Sequence, residues 1–448
     1  MRKRLVLGAL IGAVGCLALV ATGCGKKKPG GGGTTTTATT TTGGATALPA
    51  SSCNPIEGGG GGTPQFIVAS DLPLQGSGRT QTIQMVNAIK YVFSQNNYKA
   101  GNYTVGYQSC DDSTAQAGKW DSSKCSANAN AYARNSSVIG VIGTFNSGCA
   151  EIEIPIANRA PNGPLGMASP ANTYVGLTHK GPAIAPGEPG KYYPTGTRNY
   201  IRLVAADDFQ GAADAMLTKQ QLGFKSVYVL NDKEAYGLGV ANDYKNAAKQ
   251  LGINVIGFTA WDPKASSYQA LATKIQQSGA STVFLGGLIC ENGAKLIKDL
   301  RSVLGANYPL IGPDGFSDFT ANGPAAAGMY ISVAGIPPEK LSGTGKDFID
   351  KFGAQIGTKV NPYAAYAAQS AEVMLTAIAN SDGTRASVTD QLFKTKVTNG
   401  ILGTFSINKN GDTTNNPVTV YKQTGSGKSG EGTTYKTITP PQSLVKIS

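Results

Sequence analysis

At 448 residues the chain has room for two or three domains. Charged residues make up only 15% of it, and the net charge of +12 is carried partly by Arg2, Lys3 and Arg4 at the extreme N-terminus. The remaining Lys and Arg are scattered, with no basic helix and no aromatic-plus-basic stripe. That pattern excludes a nucleic-acid-binding protein.

The chain opens with a secretory signal: a basic start, an apolar run over 5–20, then Ala21-Thr22-Gly23-Cys24. The run is too short and wrongly flanked for a lasting transmembrane helix. The small residues before Cys24 are similar to a bacterial lipobox, which implies cleavage there and lipid attachment to Cys24. Cys16 is a weaker rival that would leave a short apolar run, and an unlipidated secreted protein is the remaining alternative. Cleavage takes the net charge to +9, and Lys26 to Lys28 would lie beside an anionic membrane face. The Gly- and Thr-rich segment up to Pro64 has almost no large apolar side chains. It is expected to be a disordered tether, about 35 Å in typical reach by random-coil scaling.

Beyond the leader, five cysteines remain: Cys53, Cys110, Cys125, Cys149 and Cys290. Export permits disulfides. Cys110 and Cys125 bracket a polar loop, so a local bridge between them is the first expectation, with Cys110–Cys149 the alternative. The odd number leaves at least one thiol free or paired between chains. No CxxC spacing or Cys/His cluster indicates a metal site, and no cofactor motif is present.

From Gln65 strands and helices alternate. Strands are expected at 66–69, 103–108, 138–143, 164–168 and 200–204, with helices at 82–93, 127–134 and from 150. A Gly/Pro-rich insertion covers 181–197. A second run follows, with strands at 227–230, 254–258, 282–285 and 310–312 and helices at 210–221, 237–251, 268–277 and 293–304. A strand at 329–333 is expected to return toward the first unit, and helices at 347–352 and 364–379 come next. The stretch 407–412 reads as a hairpin turn; its oxygens hint at calcium, but the later glutamate of such a loop is missing. Two such alternations predict an α/β protein with two parallel-sheet lobes.

Ligands in open α/β sheets bind outside the carboxyl ends of the strands. Here those ends are 71–79, 144–149, 169–174, 231–236, 288–292 and 313–318. They are rich in neutral hydrogen-bonding groups and poor in nucleophile–base pairs. No G-x-S-x-G or H-E-x-x-H motif occurs, and His179, the single histidine, reads as a surface residue. The chain is therefore expected not to be an enzyme. The stretch 138–157, a strand, a small polar loop and a helix start, offers unpaired N–H groups and the Ser147 hydroxyl to a small anion.

At these loops stand GTFNSGCA (143–150), SPANT (169–173), DDFQG (207–211), NDKEAYGLG (231–239), FLGGLICENGAKLIKDLR (284–301), GPDGF (312–316) and YAAQSAEVML (366–375). In this order and spacing the chain resembles the periplasmic solute-binding proteins of branched-chain amino-acid ABC transporters, over roughly 65–420. The resemblance implies a type I periplasmic-binding fold: two Rossmann-like lobes joined by three hinge crossings, one covering 65–203 plus 334–400, the other 204–333 plus 401–448. It implies that a ligand carboxylate meets Ser147, Ala171 and Thr173, that Asp314 receives the ammonium, and that Tyr236 closes over the ligand. Leu288 stands where the family carries an aromatic, and the first loop near Gln75-Gly76-Ser77 also departs from the pattern. Tyr174, Arg79, Cys290 and Glu291 are candidates to remodel the pocket. The implied partners are a small amino acid or amide-like ligand, a membrane permease and, through Cys24, the lipid bilayer outside the cytoplasm. The alternative is a sensory lipoprotein of the same fold that signals to a membrane partner.

Overall fold

The computed structural model describes residues 44–59, 62–424 and 431–445. The signal sequence, the lipobox with Cys24 and the Gly/Thr run lie outside the described residues. Among the described residues no helix is long and apolar enough to cross a membrane.

Two sheets organise the chain. The first carries β1 (Phe66–Leu72), β2 (Tyr103–Asp111), β3 (Val138–Gly143), β4 (Gly166–Ser169) and β5 (Tyr200–Arg202), in the order β2-β1-β3-β4-β5, with the short strand Lys99–Ala100 on the outer edge of β2. All four pairings among β1 to β5 are parallel. The second sheet carries β6 (Ser226–Asn231), β7 (Asn254–Ala260), β8 (Val283–Gly286), β9 (Leu310–Gly312), β10 (Tyr330–Val333), β11 (Val418–Thr424) and β12 (Glu431–Ile438), in the order β7-β6-β8-β9-β10-β11-β12. It is parallel as far as β10 and antiparallel beyond. The strand at 330–333 therefore belongs to the second sheet rather than returning to the first.

Helices cover the sheets: α1 (Arg79–Gln95), α2 (Ser122–Arg134) and α3 (Ser147–Asn158) with the first, α4 (Asp207–Met216), α5 (Ala235–Gln250), α6 (Gln269–Ser278) and α7 (Ala294–Leu304) with the second. The chain then returns to the first lobe through α8 (Thr344–Ile356), α9 (Pro362–Ala379) and α10 (Arg385–Phe393), of which α9 packs on α1 and β3. Burial explains the choice of residues. The central strands bury nearly every position, as parallel strands covered on both faces must, while β7 at the sheet edge buries none, and α9 buries fourteen of its eighteen residues. Its Met374 rests on the backbone of Gly140, where an added Cβ would lie 2.3 Å from the sulfur. Gly140→Ala is expected to cost about 1–3 kcal/mol through overpacking, read as a lower denaturation midpoint with unchanged slope.

The chain passes between sheets after β5, after β10 and again before β11. The third passage falls later than 400/401. The hairpin around the Ile407–Thr413 bridge still sits with the first lobe, because Asp412 is bound there by Arg202, Thr178 and His179.

Two further expectations need correction. The segment preceding Pro64 is not wholly a tether: 44–59 is ordered against the first lobe. Leu48 and Cys53 are buried, Asn54 N–H donates to Ser109 O, and Glu57 pairs with Tyr107 in both directions. Backbone pairing to the flank of β2 and a disulfide replace the apolar side chains the segment lacks. The bridges are Cys53–Cys110 and Cys125–Cys149, not Cys110–Cys125 or Cys110–Cys149, and Cys290 is free. Cys110 lies opposite Cys53 across an isolated antiparallel bridge. Cys125, in the first turn of α2, faces Cys149 on α3 because those helices pack together.

Candidate functional site

The carboxyl ends of β3, β4, β8 and β9 bring Ser147, Ala171, Thr173, Leu288 and Asp314 together, and α5 adds Tyr236. All six line one narrow chamber of about 20 Å³ between the two sheets. Phe145, Asn146, Gly315 and Tyr363 complete its wall. A larger open groove, about 570 Å³, runs past Lys99, Glu372 and Lys396 and contains none of these loops.

On the first-lobe side, α3 starts at Ser147, and among the described residues the N–H groups of Ser147 and Gly148 have no acceptor within the chain. They face outward with the helix dipole behind them. Ser147 Oγ accepts from Tyr174 N–H at 3.3 Å, which leaves its own proton to give. The next loop is tightly held. Ser169 Oγ accepts from Ala171 N–H at 3.1 Å and Asn172 N–H at 2.8 Å. Ala171 N–H is thus spent inside its own loop and is not a free donor to an anion. Asn172 ties this loop to the preceding one by donating to Phe145 O at 3.0 Å, and it accepts from Tyr200 OH at 3.0 Å. Arg202, wholly buried on β5, donates to the carbonyls of Asn172 and Tyr174 at 3.2 and 2.9 Å. The loop that carries Thr173 is therefore fixed by a residue on the neighbouring strand.

On the second-lobe side, Asp314 begins a short turn after β9. Its carboxylate accepts from Tyr236 OH at 2.5 Å and from Tyr363 OH at 2.7 Å, while Gly315 N–H donates to Tyr236 OH at 2.9 Å. Burial holds the Asp314 carboxyl above the usual carboxylate range, and the two tyrosine hydroxyls pull it back. Asp207, at the first turn of α4, is fully buried, and among the described residues neither of its oxygens has a hydrogen-bond partner. Burial first and Asp314 second push it well above its ordinary value. Of the two acids, Asp314, with its two hydrogen-bond donors, is the one equipped to carry charge.

Sequence reasoning does not find Tyr363. It comes from α9 of the first lobe, so its bond to Asp314 crosses between the lobes. The available signal is the Asn361-Pro362 helix start, one turn before the motif at 366. Other cross-lobe contacts are Ser317 OH to Gln81 Oε1 at 3.3 Å and Lys119 with Glu291 and, at 3.6 Å, Glu234. Lys119→Ala is expected to weaken ligand binding two- to fivefold, mainly through faster release, with the difference shrinking at high salt; stopped-flow dissociation checks it.

The remaining expectations divide. Cys290 lines a neighbouring chamber, and Glu291 pairs with Lys119 at the cleft. Tyr174 is buried and donates to Glu188 at 2.6 Å instead of facing ligand, and Arg79 is exposed at the start of α1. His179 is not a surface residue. It is buried between Asp208 of α4 and Asp412, at 3.0 and 2.9 Å.

The comparisons fit this architecture. The family model described as periplasmic binding protein matches residues 68–429. An amino acid binding protein of Pseudomonas aeruginosa is 25% identical over 304 residues, covering 67% of this chain and 75% of that protein. The Leu/Ile/Val-binding protein BraC3 of Rhizobium johnstonii is 33% identical over 194 residues, covering 43% and 47%. Among solved structures, a leucine binding protein from Thermotoga maritima superposes with a TM-score of 0.70 at 21% identity, over 84% of this chain and 99% of that one. A solute binding protein from Rhodopseudomonas palustris in complex with benzoate gives 0.65 at 16%, over 84% and 96%. At those identities the structures speak for the fold, which is that of the type I periplasmic-binding proteins. With the model covering most of its length, the chain belongs to the periplasmic binding protein family, a family of binding proteins and not of enzymes.

Proposed function

We propose that the chain is the solute receptor of an ABC importer, held outside the cytoplasmic membrane by lipid on Cys24, and that it traps a small α-amino acid or related polar ligand between its lobes. The observation that carries this reading is the convergence of Ser147, Thr173, Tyr236, Leu288 and Asp314 on one chamber closed from both sides. A carboxylate fits the N–H groups of Ser147 and Gly148 and the hydroxyls of Ser147 and Thr173. An ammonium fits Asp314, whose charge would otherwise be held in the interior by two tyrosines alone. Leu288 supplies apolar contact between them. A zwitterion touching both lobes favours the closed arrangement over an open one, which is what a trap requires. The names of the relatives, amino acid binding and Leu/Ile/Val-binding, agree with this cargo class. A thermal-shift screen of the purified protein against amino acids, amides, small carboxylates and sugars tests it. An α-amino acid at a hundred times its Kd should add about 2.7 kcal/mol of stability. Stabilisation by sugars alone would refute the zwitterion.

A further inference from the structure

Beside the chamber that holds Asp314 lies a second, narrow one of about 30 Å³. The two share Phe145, Asn146, Leu288 and Gly315, so a ligand with its charged end in the first extends its side chain into the second. A role for the second chamber thus rests on the assignment of an α-amino acid to the first. The outer wall is the loop 73–78 against the hairpin 113–120. They touch so closely that a Cβ on Gly76, at φ +78°, would lie 1.6 Å from the Gly118 carbonyl oxygen. Trp120 is laid over Gly148, where an added Cβ would stand 2.7 Å from its ring.

Among the described residues, two donors in this wall have no acceptor. Ser77 Oγ and Trp120 Nε1 both belong to residues lining the second chamber, both atoms are shielded from solvent, and neither has a hydrogen-bond partner among those residues. Neighbouring polar groups are already engaged: Gln75 Nε2 donates to Asp111 at 2.7 Å, and Lys119 pairs with Glu291 and Glu234. Asn146, between the chambers, makes no side-chain capping bond to α3. The opposite wall offers Leu288, Ile289 and Cys290. An indole N–H can only donate, and a buried donor without an acceptor is costly. An aliphatic side chain would cover both donors and satisfy neither. A carboxylate would enter beside Lys119, whose charge is already matched by Glu291 and Glu234.

We propose that the second chamber selects a ligand side chain carrying a neutral hydrogen-bond acceptor, such as a carboxamide or hydroxyl oxygen, over its aliphatic isostere, with Ser77 and Trp120 as the specificity-determining donors. The test is isothermal titration of the purified protein with L-asparagine, L-leucine and L-aspartate, whose side chains are close in shape. Asparagine should bind at least tenfold more tightly than leucine and more tightly than aspartate. Trp120→Phe and Ser77→Ala should each cut the asparagine-to-leucine preference three- to tenfold, and the second variant serves should the first not fold. Leucine binding as tightly as asparagine overturns the proposal, as does an unchanged preference in both variants, the result expected if water satisfies the donors. Leucine binding that depends on Asp314 without any preference for asparagine removes the selectivity alone. Failure of every α-amino acid to bind removes the amino-acid assignment and the selectivity together.

Discussion

Asp314→Asn is expected to weaken binding of an α-amino acid by about a hundredfold, while binding of the matching carboxylic acid without the amino group changes less than threefold. The substitution keeps the shape: its amide oxygen still accepts from one tyrosine hydroxyl and its amide nitrogen donates to the other, which turns from donor to acceptor, so the fold around the turn at 314–316 is preserved. What is lost is the charge opposite the ammonium. Removing one partner of a buried, hydrogen-bonded charge pair costs about 2–5 kcal/mol, a range that brackets a hundredfold loss. The same site predicts a proton signature. Burial holds the Asp314 carboxyl above its usual range, and an arriving ammonium lowers its pKa. Affinity therefore rises with pH through that titration, and titration in buffers of different ionisation enthalpy reads the released proton. An equal loss for amino acid and plain acid in Asp314→Asn would show that Asp314 only shapes the pocket.

Arg202→Leu is expected to destabilise the protein by about 3–5 kcal/mol, the usual cost of stripping one partner from a buried ion pair. Arg202 Nε donates to Asp412 at 2.8 Å, Nη2 donates to Thr178, and Nη1 holds the carbonyls of Asn172 and Tyr174. Its loss leaves Asp412 facing only His179 and Thr178 and frees the loop that carries Thr173. Ligand affinity should therefore fall as well. The network also sets a pH profile. Burial alone would lower the His179 pKa, but Asp208 and Asp412 outweigh it and hold it at about 9. Its contribution is complete below the unfolded value near 6.5 and is lost as pH rises toward 9. Asp412 is shifted the other way: Arg202 and His179 overcome burial and hold its carboxyl far below the ordinary range. Its contribution is present above about pH 4 and is lost in acid. Asp232, pushed up by burial to about 8, subtracts stability as pH rises from about 4. Stability should therefore be greatest near pH 4 and decline toward pH 9, through Asp232 from about pH 4 and through the His179 network from about pH 6.5. Urea denaturation across pH measures it, and a plateau from about pH 6 to 9 would count against the His179 network.

The alternation of apolar runs with loops is enough to place both sheets and the strand ends, because parallel strands such as 138–143 are buried on both faces and leave continuous apolar stretches. Ser147 and Asp314 are legible for the same reason: each closely follows such a run. Contacts made by packing are not. Nothing local tells Cys125 that α2 will lie on α3 and bring Cys149 within a bond. Residues 44–59 attach through backbone pairing, which leaves no apolar pattern. Tyr363 lies about fifty residues beyond Asp314, on a helix whose sequence speaks only of core. His179 reads as exposed because both its partners, Asp208 and Asp412, lie outside its own segment.

Recognition of an ammonium and a carboxylate on one ligand, in the chamber between the lobes, is the central claim. The direct measurement is the Kd of the wild-type protein for the best-binding α-amino acid beside that of the same molecule with hydrogen in place of its amino group. A gap of about a hundredfold in favour of the amino acid is predicted. Equal affinities, or tighter binding of the plain carboxylate, would contradict it.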